Sequence, residues 1–315
     1  MTADPLILYV PGLKPKPEPA VHRRELLRCL AAGVQRLDPG IAEQLQSNDR
    51  LFDLVSWTYD FYGEHRDIDL DLAAIDAVIE QPAASERDRA EAGSSKLRLL
   101  RSIYRAGDYL PFLIPHFADE NIEIQLRDLR RYARNEYDIA DSVRRLAKLP
   151  LRAAAKSGRP ILLIGHSMGS VIAYDVLWQL CQQSAENVSV DLFLTMGSPL
   201  GQRYIQSRLL QFSEEGERHY PSNISRWENI AAVGELTALD TALANDFGDM
   251  LAEGTLRTLR DHQAYNYFRI EDELNVHAEY GYLVNEVSAG IVCDWLRSFQ
   301  VGFDDDVDTP VPGTS

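Results

Sequence analysis

The chain has few cysteines, and none of them lies close to another in sequence. They are Cys29, Cys181 and Cys293, so the paired spacing of a zinc site or an iron–sulfur cluster is missing. Each lies in an apolar, helical context, and we interpret all three as buried free thiols, which suits a reducing compartment. The sequence therefore indicates neither a metal nor another cofactor.

Basic residues and long apolar runs are also scarce. The 32 Lys and Arg residues stand against 48 Asp and Glu residues, a formal net charge of −16. This disfavours nucleic acids and anionic membranes as partners, because both are bound through basic side chains. No uncharged run approaches the roughly 20 residues that span a bilayer, so we expect no integral membrane association. Residues 1–5 lack the basic segment of a signal peptide, and we expect a cytoplasmic protein.

What is present is the composition and patterning of a globular α/β protein. Of 315 residues, 45% are hydrophobic and 25% are charged, as in ordinary soluble enzymes. Apolar runs alternate with segments of helical period, which predicts a mostly parallel central sheet with helices on both faces. The predicted strands are 6–10, 51–57, 161–164, 190–196, 224–233 and 264–270, and the predicted helices include 20–37, 132–156 and a closing helix, 283–299.

Residues 64–130 depart from this alternation. Two amphipathic helices are predicted near 68–79 and 97–104, and the charged stretch between them, 81–95, is expected to be an exposed loop. The segment Leu110–Pro115 is too short and too rich in proline for a regular element. We expect this helical insertion to cap a pocket; the alternative is that it only lengthens the helical layer.

The domain organisation that follows is simple. One domain spans residues 1–303 and includes the insertion, and an acidic, disordered tail occupies 304–315. The helix over 132–156 is expected to be interrupted at Pro150, because proline removes a backbone hydrogen bond inside a helix.

One stretch combines a strand, a tight turn and a helix. Ile161–Ile164 fit a buried parallel strand, Gly165–Gly169 read Gly-His-Ser-Met-Gly, and a helical pattern begins at Val171. This is the context of a Gly-x-Ser-x-Gly nucleophile elbow, in which the turn lifts the serine hydroxyl above the carboxyl end of the strand. The pattern is short, and its alternative is a plain turn between strand and helix. We interpret Ser167 as a nucleophile.

A serine nucleophile needs a base, and in this arrangement the base follows the acid late in the chain. His277 lies between the last predicted strand and the closing helix, where the mechanism requires the base. His262 precedes that strand and is expected at the opposite end of the sheet, and His219 lies in a charged loop. The sequence therefore favours His277, and its alternative is a surface-loop histidine.

The acid and the oxyanion donors are also expected in turns that directly follow predicted strands. Glu235 follows the strand 224–233 and is preferred as the acid, with Asp240 as the alternative. Two backbone N–H groups are needed where negative charge develops. We expect them from Met168, directly after the serine, and from Leu13, in the turn after the first strand.

Several of these motifs together carry a family resemblance. The chain resembles the α/β-hydrolase superfamily, in particular its soluble, lipase- and esterase-like bacterial members, over most of 5–63 and 130–300. The residues that carry it are the elbow Gly165–Gly169 with Ser170–Asp175, the turn Gly197-Ser198-Pro199, the strand segment Trp227–Asn229, and His277 with Tyr280–Tyr282. The chain departs from the family pattern in two places. It has Pro11-Gly12 where His-Gly is usual, and a glutamate where the acid is usually aspartate.

The resemblance implies a serine hydrolase that acts through an acyl-enzyme. We expect a small-molecule carboxylic ester or thioester with an apolar acyl group as substrate. The residues expected to line the substrate site are Gly12, Tyr59, Phe61, His166 and Ser198. The alternatives are acyl transfer with the same triad, a lipase that docks on membranes through Leu110–Pro115, and a binding protein that keeps the fold without catalysis.

Overall fold

A computed structural model describes residues 4–94, 120–236 and 241–299. Four sequence-based predictions lie outside these described residues. They are the second insertion helix near 97–104, the segment Leu110–Pro115, Asp240 as the alternative acid, and the tail over 304–315.

Strands and helices alternate along most of the chain. The first half contains β1 (Leu6–Val10), α1 (Pro19–Gln35), α2 (Pro39–Ser47), β2 (Phe52–Leu54), α3 (Thr58–Tyr62), α4 (Asp69–Glu80), α5 (Glu86–Ala92), α6 (Glu120–Ala133), α7 (Ile139–Lys156), β3 (Ile161–His166) and α8 (Met168–Trp178). The second half contains β4 (Val190–Met196), α9 (Arg203–Gln206), β5 (Ile224–Ala232), α10 (Leu243–Asp246), α11 (Gly248–Ala252), β6 (Thr258–Ala264), β7 (Arg269–Ile270), β8 (Glu273–Leu274), α12 (Glu279–Val284) and α13 (Glu286–Arg297).

The strands of the described residues form a parallel six-stranded sheet and a separate two-stranded antiparallel hairpin. The order in the large sheet is β2-β1-β3-β4-β5-β6, and β7 pairs with β8 in the hairpin. The next strand along the chain, β2, therefore lies on one side of β1, and β3 lies on the other side. In open α/β sheets a ligand crevice forms where the order reverses in this way, outside the carboxyl ends of the strands, here those of β1 and β3.

Two apolar cores cover the two faces of the large sheet. Alternate residues of β1 belong to different cores: Leu6, Leu8 and Val10 pack with α7 and α8, whereas Ile7 and Tyr9 pack with α1, α2, α12 and α13. Such alternation follows from the two-residue period of a strand. The predicted α/β class, with helices on both faces of a mostly parallel sheet, is confirmed.

Two helices were not predicted: α2, which follows the predicted helix 20–37, and α5, within the predicted exposed loop 81–95. α2 begins at Pro39 behind Asp38, whose carboxylate accepts hydrogen bonds from Gly40 N and Ile41 N. α5 lies inside the predicted loop 81–95 and begins with a reciprocal capping box between Ser85 and Asp88. Both starts are local sequence signatures of a helix N-terminus. Both helices could therefore have been predicted from the sequence.

The interruption predicted at Pro150 is wrong. α7 runs through this proline without a break, and the chain bends earlier, where Asn135, Tyr137 and Asp138 have positive φ angles. A proline inside a helix costs about 3 kcal/mol. Burial of α7 on both sides of Pro150 outweighs that cost. The residues of α7 that pack in the core there are Val143, Ala147, Leu151 and Ala154.

The last parallel strand was predicted too late in the chain. It is β6, Thr258–Ala264, rather than 264–270, and residues 269–270 belong to the antiparallel hairpin. The sequence of β6 is largely polar because, among the described residues, it lies at the edge of the sheet and pairs with β5 alone. His262 therefore lies within β6, paired with Ile230 of β5, and not at the amino end of the sheet.

The C-terminal part and the cysteines differ from expectation in smaller ways. The closing helix is two helices, α12 and α13, separated at Asn285, which caps α13 through Val287 N. All three cysteines are free, but Cys181 is only partly buried. Between β2 and β3 the described residues contain α3 to α7, and the expectation that 64–130 caps a pocket stays a prediction.

Two helical glycines provide a test of how tightly these layers pack. A Cβ on Gly33 of α1 would lie 2.7 Å from the carbonyl oxygen of Val284, whereas a Cβ on Gly290 of α13 would lie 3.9 Å from the nearest side chain, Leu37. We expect Gly33→Ala to lower the free energy of unfolding by about 1–3 kcal/mol. Gly290→Ala should raise it by about 0.5–1 kcal/mol, because alanine is the better helix former. Urea unfolding of both variants measures this, and stabilisation by Gly33→Ala would contradict the packing of α1 on α12.

Candidate active site

Ser167 stands between β3 and α8 in a backbone conformation that residues with side chains rarely adopt. Its φ and ψ angles are 53° and −126°, and holding such a residue costs on the order of 1–3 kcal/mol. Its N–H donates to Met196 O of β4 at 2.9 Å, and its carbonyl oxygen accepts from Ser170 N at 3.0 Å. The turn is thus tied to the neighbouring strand and to the first turn of α8.

The glycines around the serine are required by the closeness of two backbones. A Cβ on Gly169 would overlap the carbonyl oxygen of Val10, and a Cβ on Gly12 would lie 2.8 Å from the Ser167 Cβ. α8 therefore approaches the end of β1 as closely as a backbone can. This approach brings the turn after β1 directly against the serine.

Ser167, His277 and Glu235 form one chain of hydrogen bonds. His277 Nε2 lies 2.9 Å from Ser167 Oγ, and His277 Nδ1 lies 2.9 Å from Glu235 Oε2. With the proton on Nδ1, the imidazole donates to the carboxylate and accepts from the serine hydroxyl. Ser167 and Glu235 are buried, whereas a quarter of the His277 side chain is exposed. The structure thus brings together the three side chains that the sequence assigned to nucleophile, base and acid.

A tyrosine to which the sequence analysis assigned no role is a second hydrogen-bond donor to Glu235. Tyr282 OH donates to Glu235 Oε2 at 3.1 Å and accepts from Ala232 N at 2.9 Å. Because Ala232 ends β5, the phenol connects the carboxylate to the strand from which its loop emerges. Glu235 Oε2 therefore accepts from both His277 and Tyr282.

A second group of polar side chains lies behind the histidine, and we call it the Glu279 cluster: Tyr9, Lys16, His22, His166 and Glu279. Glu279 accepts from Lys16 Nζ at 2.7 Å, from His22 Nε2 at 3.1 Å and from Tyr9 OH at 3.2 Å. His166 Nδ1 lies 3.9 Å from Glu279 Oε2. The cluster joins the segment after β1 to the segment after His277.

His166 connects this cluster to His277. Its Nε2 lies 2.9 Å from the carbonyl oxygen of His277, and the two rings are 4.8 Å apart. Burial, and then the neighbouring His277, hold the pKa of His166 well below its usual value. A neutral His166 with its proton on Nε2 therefore donates to the backbone of His277.

The charge of Glu279 is maintained by its basic neighbours. Burial alone would raise the pKa of this carboxyl, but Lys16 and the hydrogen-bonded His22 hold it well below its usual value. Glu279 is thus an ionised carboxylate with few exposed atoms, compensated by Lys16 in the way that a buried charge requires.

The expected oxyanion donors lie on two sides of the serine. Met168 is the first residue of α8, where the helix dipole favours negative charge. Leu13 follows Gly12 in the turn after β1, partly exposed. The structure places both backbones next to Ser167 in the chain or in space, and their role as donors stays a prediction.

The residues expected to line the substrate site are found in different environments. Tyr59 is half exposed and stacks on His65 at 4.5 Å. Phe61 is buried and packs edge-on against Trp57, and Ser198 is buried, with its Oγ 2.7 Å from Ser170 Oγ. Contact of these residues with the substrate stays a prediction. Tyr59 and Phe61 both belong to the helix α3.

The two other late histidines are engaged elsewhere. His262 Nε2 lies 2.6 Å from Glu228 Oε2 on the neighbouring strand, and His219 Nδ1 lies 2.7 Å from Glu214 O. Within the described ranges 4–94, 120–236 and 241–299, no group of three or more His, Cys, Asp or Glu side chains is arranged to hold a metal ion. No helix of that part of the chain has the length and apolar content of a membrane span.

Sequence reasoning missed the residues that support the site from outside the triad. Tyr282 lies in the segment Tyr280–Tyr282 that carried the resemblance, so its neighbourhood was noted but its bond to Glu235 was not. Glu279 contacts Lys16 and His22 although more than 250 positions of sequence separate them. No local sequence pattern predicts such a contact.

Comparison with known proteins agrees with this architecture over part of the chain. A family model described as lecithin:cholesterol acyltransferase matches residues 131–210, about a quarter of the chain, including the elbow and Ser167. The chain has the α/β-hydrolase fold. The match ends before Glu235 and His277 and begins after Leu13, so three of the five residues assigned to the triad and the oxyanion donors lie outside it. Neither the curated proteins nor the solved structures contain a match to the chain.

The ionised Glu279 predicts how the stability of this hydrolase fold depends on pH. Because the pKa of Glu279 is lower in the folded than in the unfolded protein, its carboxylate stabilises the fold above pH about 4.5. This contribution is lost as the pH falls through the folded-state pKa. We expect Glu279→Gln to lower the free energy of unfolding at pH 7 by about 3–5 kcal/mol, because Lys16 loses its buried partner. Unfolding between pH 3 and 7 measures the difference.

The matched control is Glu64→Gln, at an exposed glutamate, which should change the free energy of unfolding by less than about 0.5 kcal/mol. The difference between wild type and Glu279→Gln should shrink toward acid pH. Parallel pH curves for these two proteins would contradict the assignment of an ionised Glu279.

Proposed function

We propose that the protein is a serine hydrolase that cleaves a carboxylic ester through an acyl-enzyme on Ser167. The observation that carries this proposal is the continuous hydrogen-bonded chain from Ser167 Oγ through His277 to Glu235. A serine hydroxyl becomes an effective nucleophile when an adjacent imidazole removes its proton, and a carboxylate orients that imidazole. The strained elbow and the partial family match support the same reaction class.

In this mechanism each proton has a defined place. Ser167 Oγ attacks the carbonyl carbon of the ester while its proton passes to His277 Nε2, and Glu235 stabilises the imidazolium. The oxyanion is held by the N–H groups of Met168 and Leu13. The intermediate then releases the alcohol, which takes the proton from His277 Nε2. Water repeats the sequence on the acyl-enzyme, with His277 again as base, and releases the acid and the free serine.

The substrate class we propose is an ester with an apolar acyl group, in the manner of a lipid ester. The matching family is named for acyl transfer from lecithin to cholesterol. The matched segment contains the nucleophile and the helices packed around it, which supports a related acyl substrate here. The printed name also favours acyl transfer to an alcohol as a second candidate function, since the same acyl-enzyme can be resolved by an alcohol in place of water.

Labelling with a fluorophosphonate separates this enzyme from a binding protein of the same fold. We expect covalent labelling of the wild type that disappears in Ser167→Ala, because the reagent reacts with an activated serine. Ser207→Ala, at an exposed serine, should be labelled like the wild type. Well-folded wild type that takes up no label would refute the proposal and favour the binding protein.

A panel of p-nitrophenyl esters of increasing acyl length then defines the substrate of the same site. We expect turnover that increases with acyl length and is lost in Ser167→Ala. Adding a long-chain alcohol distinguishes the two reactions, because a transferase forms the new ester at the expense of the free acid. Release of free acid alone would leave hydrolysis as the function.

The acid assignment is tested by removing charge while the size of the side chain is kept. Glu235→Gln should lower kcat by about 10²- to 10⁴-fold, because an amide cannot stabilise the His277 imidazolium. Asp240→Asn should leave kcat nearly unchanged. Thermal unfolding of both variants controls for loss of folded protein. A large loss in Asp240→Asn with an active Glu235→Gln would reverse the assignment.

A further inference from the structure

The turn after β1, residues 11–14, decides where one oxyanion donor points, and we call it the oxyanion turn. Gly12 lies directly against the Cβ of Ser167, and the expected donor, the N–H of Leu13, belongs to the next residue in the chain. The direction of a backbone N–H depends on the dihedral angles of the residues beside it. Whatever holds Pro11 and Lys14 in place therefore also orients the donor at Leu13.

Two side chains at the ends of α3 hold this turn from both sides. Trp57 Nε1 donates to Pro11 O at 2.9 Å, and Lys14 N donates to Tyr62 OH at 2.9 Å. Lys14 has a φ angle of 77°, a left-handed conformation that costs a non-glycine residue roughly 1–2 kcal/mol. The bond to Tyr62 stabilises the turn at the residue where its backbone is strained.

Tyr62 is itself oriented by a carboxylate from the helix that ends the insertion. Its hydroxyl donates to Asp128 Oδ2 of α6 at 2.9 Å, and Asp128 is buried. α6 also binds Phe61, the residue before Tyr62 in α3, because Arg131 donates a hydrogen bond to Phe61 O at 2.7 Å. Burial raises the pKa of Tyr62 far above its usual value, with Asp128 adding to the rise against the opposing bond from Lys14, so the phenol keeps the proton that it donates.

We propose that Tyr62, oriented by Asp128, is a positioning residue that sets the oxyanion donor of Leu13 through the backbone of Lys14. This rests on the proposed function, because it concerns the same reaction at Ser167. It assigns to α3 and α6 a catalytic role beyond packing, because the Tyr62 phenol links Asp128 of α6 to the strained residue of the turn. A donor that is displaced stabilises the transition state less while the ground-state substrate remains bound.

The test is Tyr62→Phe, which keeps the ring and removes the hydroxyl. We expect kcat for a p-nitrophenyl ester to fall about ten-fold, less than for the loss of a donor itself, with KM within about two-fold of the wild type. Inhibition by an alkyl boronic acid, whose adduct with serine places an oxygen at the oxyanion position, should weaken by a similar factor. Tyr137→Phe, at a tyrosine that is 94% exposed, is the matched control and should behave like the wild type.

Variants of Asp128 separate positioning from packing. Asp128→Asn still offers a carbonyl oxygen to the Tyr62 hydroxyl, and it should retain most of kcat. Asp128→Ala should resemble Tyr62→Phe, and the double variant Tyr62→Phe/Asp128→Ala should lose little more than either alone, because both act through one chain of hydrogen bonds.

Unchanged kcat and unchanged boronic acid affinity in folded Tyr62→Phe would overturn this proposal. So would a loss confined to thermal stability, or equal losses in Tyr62→Phe and Tyr137→Phe. These outcomes leave the proposed function intact as long as the wild type is labelled by the fluorophosphonate at Ser167. Absence of that label would instead refute the proposed function itself.

Discussion

The parallel alignment of the strands is the constraint on which the site depends. Because β1, β3, β4 and β5 run in one direction, the turns that follow them meet at one edge of the sheet. That edge receives the oxyanion turn, the elbow at Ser167 and the loop of Glu235. The chain then returns through the hairpin β7–β8 and brings His277 to the same edge. The close contact of Gly169 with β1 sets how near these turns can come.

Support for the site comes from three directions that share no residues. Tyr282 fixes Glu235 to the end of β5. The Glu279 cluster fixes the segment after His277 to the segment after the oxyanion turn. Trp57 and Tyr62 of α3 hold the oxyanion turn, and Asp128 connects it to α6. Preorganised groups lose little energy in rearranging during a reaction, so under the proposed function this support would serve the chemistry as well as the fold.

Two buried carboxyl groups, Glu279 and Asp175, lie in different electrostatic environments. Glu279 has Lys16 and His22 as partners. On the other face of the sheet Asp175 of α8 accepts from Tyr132 OH and from Leu210 N, and burial raises its pKa to about 6 although Arg144 is close. The first site is held ionised by positive neighbours, whereas burial dominates at the second. Two carboxylates of the same chain therefore have opposite shifts in pKa.

What the sequence by itself determined were the features encoded within a few neighbouring residues. The buried strands, the elbow around Ser167 and the class of the sheet all follow from local patterns of apolar residues and turns. Even the missed helices α2 and α5 carry local capping signals at Asp38 and Ser85. Such features are readable because their causes, side-chain period and backbone capping, act over one or two turns of chain.

Only the tertiary structure decided the pairings across long distances in sequence. The polar edge strand β6 is a strand because β5 supplies its partners, and α7 continues through Pro150 because the core holds both sides of it. Lys14 N meets Tyr62, and Lys16 meets Glu279, for no reason visible near either residue. A hydrogen bond or an ion pair between distant segments depends on how the whole chain packs, so its partners are known only once the fold has brought them together.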